Sequence, residues 1–112
     1  MTTTFDICTI DDIPANRARG FSVIYNDETF DFFIVRKDHS VFGYVNRCPH
    51  TGVNLEWMPD RFLDQSGTVI QCSTHGAQFK IENGFCIYGP CLGRYLEKIE
   101  LDVKENSIKL IL

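Results

Sequence analysis

The sequence predicts an all-β fold, and three observations predict it. Apolar residues recur at period two or in short bursts rich in β-branched and aromatic side chains, turn-forming residues return every eight to twelve positions, and long helical periodicity is absent. The 112 residues suffice for one domain with one core, and 44 % hydrophobic residues with nine Phe mark a chain that folds.

In chain order, Cys8 falls in a first candidate strand, and Asp11-Asp12-Ile13-Pro14 carries the acids and the Pro that suit the first turn of a short helix. Phe21 to Tyr25, Phe30 to Arg36 and Val41 to Val45 read as three strands separated by Asn26-Asp27-Glu28 and Lys37-Asp38-His39-Ser40, which predicts an antiparallel meander. Ile99-Glu100-Leu101-Asp102-Val103-Lys104 alternates strictly and is followed by Glu105-Asn106 and then Ile108-Lys109-Leu110, a C-terminal hairpin.

Charge and composition exclude several functions. Eleven Lys plus Arg against fifteen Asp plus Glu, with no basic run longer than two, predict no nucleic-acid partner. No apolar run exceeds about five residues, far short of the roughly 20 of a spanning helix. The start MTTTFDICTI shows neither a basic n-region nor an apolar h-region, so a cytoplasmic, reducing location is expected, and five cysteines is an odd count for a disulfide framework.

Between Asn46 and Leu92 the character changes, for that stretch holds four of the five cysteines, two of the three histidines, three of the four prolines and five of the eight glycines. It reads as a loop-built site on a β scaffold. Within it stand Cys48-Pro49-His50-Thr51-Gly52 and, with 21 residues intervening after His50, Cys72-Ser73-Thr74-His75-Gly76. Each loop offers one thiolate, one imidazole and a Gly that can turn the backbone back. A structural zinc ion accepts two Cys and two His, but its ligands usually pair like with like at spacings of two to four residues. Mixed pairs, one with a single intervening residue, suit two adjacent metal atoms that share both loops.

On these residues the sequence resembles the Rieske-type [2Fe–2S] proteins, whose pattern is CxH and then CxxH, each followed closely by Gly. The likeness extends to Ala77-Gln78-Phe79-Lys80-Ile81, similar to the strand that carries the second loop, to Asn83-Gly84 before Cys86, and to Gly89-Pro90 at the place of the family's proline loop. It implies one [2Fe–2S] cluster held by Cys48, His50, Cys72 and His75. It also implies a Rieske-like antiparallel β-sandwich, a single domain over residues 1–112. The base spans 1–45 and 93–112, with a cluster-binding insertion at 46–92. Val53, Leu55, Ala77, Phe79, Pro90 and Leu92 are then candidates for the apolar shell that keeps water off the sulfides, and Arg47 and Arg94 border the tip.

Two neutral imidazoles in place of two thiolates leave the oxidised cluster near zero charge, which lifts the potential to about −150 to +300 mV from about −400 mV in plant-type ferredoxins. High-potential relatives add a disulfide between the loops and two hydroxyls that bond sulfur. Val53, Thr74, Ala77 and Phe79 stand at those places here, so a potential in the lower half of the window is expected. Proton and electron uptake should couple at alkaline pH if the outer imidazole nitrogens reach water.

Cys86 and Cys91 flank the proline turn and are expected as reduced buried residues, the alternative being a disulfide between them; Cys8 is expected as packing, His39 as a solvated surface residue, and Trp57 as packing under the first loop, with partner contact as its alternative. The resemblance implies a soluble one-electron carrier, not itself an enzyme. It would take electrons from a flavin reductase and pass them to an oxygenase or similar redox enzyme, with no small-molecule substrate, nucleic acid or membrane as partner. The alternatives are a small Rieske-like subunit of a nitrite reductase and, more remotely, a zinc-stabilised interaction module.

Overall fold

The computed structural model describes residues 2–49, 55, 60–72 and 76–112, and among them nine antiparallel strands form three three-stranded sheets. The predicted meander is the central one, in the order β2 (Ala18–Tyr25), β3 (Glu28–Lys37) and β4 (Ser40–Val45). Asn26 and Asp27 take positive φ of 52° and 64°, the conformation that closes a two-residue hairpin connection. β2 begins three residues before the predicted Phe21, because Ala18, Arg19 and Gly20 continue the ladder opposite Val35, Ile34 and Phe33. Backbone pairing, not side-chain pattern, decides that end.

Strand β3 explains why Phe32-Phe33-Ile34-Val35 is unbroken by a polar residue. All four are fully buried, with Phe33 and Val35 facing the core that also holds Cys48 and Cys72, and Phe32 and Ile34 facing a second core. A strand covered on both faces has no solvent side to mark with polar residues.

That second core is closed by the sheet β1 (Thr4–Thr9), β9 (Ser107–Ile111) and β8 (Glu100–Lys104), in the order β1-β9-β8. The predicted C-terminal hairpin is present, with Glu105 and Asn106 at φ 48° and 74° in its turn. β1 pairs with β9 through a register shift between Asp6 and Cys8, and Thr3 and Leu112 exchange backbone bonds of 2.7 and 2.8 Å. Gly43 allows this sheet to approach the meander: a Cβ there would lie 2.7 Å from Ile99 Cδ1 and 3.0 Å from Leu101 Cδ1. The short helical turn lies at Ile10–Asp12, a residue earlier than Asp11-Asp12-Ile13-Pro14 predicts, because the Asp12 carboxylate accepts the Thr9 N–H (2.9 Å) and hydroxyl (3.2 Å) while Ile13 is buried in the core.

The third sheet, β5 (Val69–Gln71), β6 (Gln78–Lys80) and β7 (Cys86–Tyr88), has strands of three residues each, too short for periodicity to reveal. It is fastened to the meander by the buried Tyr44 hydroxyl donating to the Ile81 carbonyl (2.5 Å), by the Lys37–Glu82 ion pair, and by Phe33 stacked on Phe62 with centroids 4.3 Å apart.

Candidate metal centre

Three loops meet over the core that holds Phe33, Val35, Tyr44, Phe62 and Phe79. The first leaves β4 at Asn46, a buried polar residue (6 % exposed) whose N–H donates to the Asp31 carbonyl (3.0 Å) and whose Oδ1 accepts the N–H of Leu55 (2.9 Å). One side chain therefore ties both ends of the ten-residue segment 46–55 together. Composition marks Asn46 only as the place where the chain changes character. Its bond spans nine residues and has no local signature. Farther on, Asp60 Oδ1 accepts the Gly20 N–H at 2.8 Å and anchors the chain to β2. Cys48 is buried within this loop, whereas His50, Val53 and Trp57 lie outside the described residues.

The second loop is the tip of the β5–β6 hairpin. Cys72 N–H donates to the Ala77 carbonyl (2.8 Å), and the N–H of Gly76, at φ 68°, donates back to the Cys72 carbonyl (3.1 Å). The hairpin thereby fixes where Cys72 sits and where the chain returns, and Cys72 is 1 % exposed. His75 lies outside the described residues. Ahead of β5, Asp64 organises the preceding turn. Partial burial alone would push its carboxyl up, but bonds from the Ser66 hydroxyl and the N–H groups of Thr68, Val69 and Gly67 outweigh this and hold it below the usual carboxylate range.

The third loop follows β7. Gly89, at φ 99°, passes so close to the second loop that a Cβ there would lie 2.8 Å from Ala77 Cα. The Leu92 N–H donates to the Gly89 carbonyl (3.1 Å) and the Arg94 N–H to the Cys91 carbonyl (2.8 Å), while Arg94 Nη1 reaches across to the Pro49 carbonyl (3.2 Å) in the first loop. Of the predicted shell, the structure gathers Leu55, Ala77 and Phe79 with Cys48 and Cys72 in one buried cluster. It does not bring Pro90 and Leu92 into that cluster, and Leu92 is 66 % exposed. Cys91, between them, turns inward instead, with its Sγ 3.8 Å from Cys48 Sγ. Arg47 is exposed.

Cys86 is also buried, but its thiol donates to the Tyr88 carbonyl at 3.3 Å. Among the described residues no disulfide is present. Burial, reinforced by the charge of Asp12, pushes the Cys8 thiol up, which disfavours a nucleophilic thiolate there. His39 is exposed in the β3–β4 turn.

The buried sulfurs of Cys48 and Cys72, brought into one apolar cluster from the loops that follow β4 and β5, form the soft half of a donor set that fits an iron–sulfur group. Among the described residues no three His, Cys, Asp or Glu side chains gather around one point, and the two histidines of the motif lie outside that set. The family model for the Rieske [2Fe-2S] domain matches residues 3–105. The chain belongs to the Rieske [2Fe-2S] family. A Rieske domain implies a [2Fe–2S] cluster.

The fold of this Rieske domain recurs in solved structures. It is similar to a chain in a complex of reduced oxygenase and oxidised ferredoxin of carbazole 1,9a-dioxygenase, with 23 % identity, a TM-score of 0.74, and 96 % of this chain and 91 % of that one covered. The ferredoxin of carbazole 1,9a-dioxygenase from Nocardioides aromaticivorans IC177 matches at 20 % identity and TM-score 0.75, covering 96 % of both chains. A chain assigned as an NADH-dependent nitrite reductase small subunit from Mycobacterium tuberculosis matches at 20 % identity and TM-score 0.68, covering 100 % of this chain and 96 % of that one. No curated protein sequence matches the chain. Among the described residues no helix is long and apolar enough to cross a membrane.

Proposed function

We propose that this Rieske domain is a one-electron carrier, the ferredoxin component between a flavin reductase and an oxygenase or similar redox enzyme, working in the cytoplasm and without catalysis of its own. The observation that carries the proposal is the pair of buried cysteines Cys48 and Cys72 gathered in one cluster, each followed by a histidine at the family's spacing. In this reading Cys48, His50, Cys72 and His75 are the four ligands. The domain divides into a base (1–45 and 93–112) and a cluster-binding part (46–92).

The cluster supplies reversible one-electron transfer when bound. The chain's own residues do the rest. Leu55, Ala77 and Phe79 exclude water from beneath the site, and Asn46, the Cys72–Ala77 hairpin tip and Gly89 hold the three loops in place. Around the third loop Tyr88, Leu92 and Tyr95 are exposed at 64, 66 and 59 %, with Arg94 beside them. Such an apolar patch with a cationic edge suits an acceptor that offers an apolar surface rimmed by carboxylates.

A reading as the small subunit of a nitrite reductase is favoured by the match over the full length of this chain. Co-purification as a permanent complex with a large reductase subunit distinguishes it from a free carrier. The cluster is tested by electron paramagnetic resonance of the dithionite-reduced protein. A Rieske-type signal that disappears in Cys48→Ser and His75→Ala is expected, and a silent spectrum from fully iron-loaded protein overturns the assignment.

A further inference from the structure

The proline turn carries a thiol that the ligand set does not use. Cys91 is fully buried, and its Sγ lies 3.8 Å from Cys48 Sγ, within sulfur hydrogen-bond range. Its position is held from several sides. Gly89 lets the turn settle onto Ala77, the Leu92 N–H closes the turn on Gly89, and the Arg94 N–H binds the Cys91 carbonyl. The neighbouring buried thiol, Cys86, is directed to the Tyr88 carbonyl instead.

While both carry a proton, either sulfur can donate. Once Cys48 ligates a metal it is a thiolate and has no proton to give, so the direction is fixed: Cys91 donates and Cys48 accepts. We propose that Cys91 is a potential-setting residue of this domain, whose S–H···S bond to Cys48 stabilises the reduced, more negative centre and raises its reduction potential. The inference rests on Cys48 being a cluster ligand. Hydrogen bonds to the sulfurs of iron–sulfur clusters are among the determinants of their potential, and the hydroxyl positions that serve this purpose elsewhere are occupied here by Ala77 and Phe79. A thiol arriving from the third loop supplies a donor from the other side.

The test compares the holoprotein with Cys91→Ala, Cys91→Ser and Cys86→Ala, each with its iron content measured. In redox titration Cys91→Ala should make reduction about tenfold less favourable, a fall of about 59 mV for one electron. Cys91→Ser, which keeps a donor, should hold the potential at or above the wild-type value, and Cys86→Ala should leave it unchanged. Resonance Raman in D2O provides a second readout: an iron–thiolate stretch that shifts on deuteration in the wild type should lose that sensitivity in Cys91→Ala. Equal potentials for wild type and a fully loaded Cys91→Ala overturn the proposal. If Cys91→Ala fails to load, a Cys91→Ser potential well below wild type does the same. A wild-type protein without a Rieske signal defeats the cluster reading itself, which separates the two failures.

Discussion

Replacing Asn46 with alanine removes the side chain that joins the two ends of the segment 46–55. The Leu55 N–H, fully buried and bonded to Asn46 Oδ1 at 2.9 Å, would then have no acceptor there. Leaving a buried donor unsatisfied costs about 1–3 kcal/mol. The cost falls on the loop that carries Cys48 more than on the sheets, because the bond from the Asn46 N–H to Asp31 belongs to the backbone and survives the substitution. The open form of the loop should therefore become about 5- to 150-fold more populated, at about 1.4 kcal/mol per factor of ten. If cluster loss proceeds through that opening, the visible absorbance should bleach faster under excess chelator by the same factor, while urea unfolding of the whole domain moves by no more than the local cost. Bleaching of Asn46→Ala within twofold of the wild-type rate would refute the reasoning, for it would mean that the loop is held by something other than this bond.

Burial, with the charge of Glu82 adding to it, pushes the Tyr44 hydroxyl up to about 12 from 10.0. The folded state thus holds this proton more tightly than the unfolded one, and the associated stability, at most roughly 2–3 kcal/mol, is complete below about pH 10 and is lost as pH rises towards 12. Urea unfolding at pH 9 and 11.5 should show a steeper alkaline loss for wild type than for Tyr44→Phe, and identical slopes would contradict this. Gly89→Ala places a Cβ 2.8 Å from Ala77 Cα at φ 99°, so it should destabilise the domain by about 1–3 kcal/mol in thermal unfolding, whereas an unchanged melting temperature would show that the turn yields freely. Arg94→Ala deletes an exposed contact to the Pro49 carbonyl and should change stability by less than about 1 kcal/mol. Electron transfer to an acceptor should nevertheless slow and lose part of its salt dependence, and an unaltered rate at low salt would remove Arg94 from the docking surface.

What is legible in the chain divides along a physical line. The period-two alternation of 99–104, the Asn26-Asp27 and Glu105-Asn106 turns and the aromatic bursts are local signals, and the strands and hairpins they mark are present. The family is legible for the same reason, since CxH and CxxH are spacings along the chain, set by how many residues a tight loop needs to present both donors. The three-residue strands β5 and β7 escape because a strand that short is held by its neighbours and not by any period of its own.

By itself, then, the sequence determined the all-β class, the meander, the C-terminal hairpin and the paired CxH and CxxH motifs of the family, all of which depend on neighbours within a few residues. Only the tertiary structure decided which side chains surround the site. Asn46 reaches Leu55, Arg94 reaches Pro49, and Cys91 turns towards Cys48 across 43 positions while Pro90 and Leu92 turn outward. Those choices follow from where three separate loops are laid over one core, and no local pattern encodes a contact whose partner arrives from another sheet.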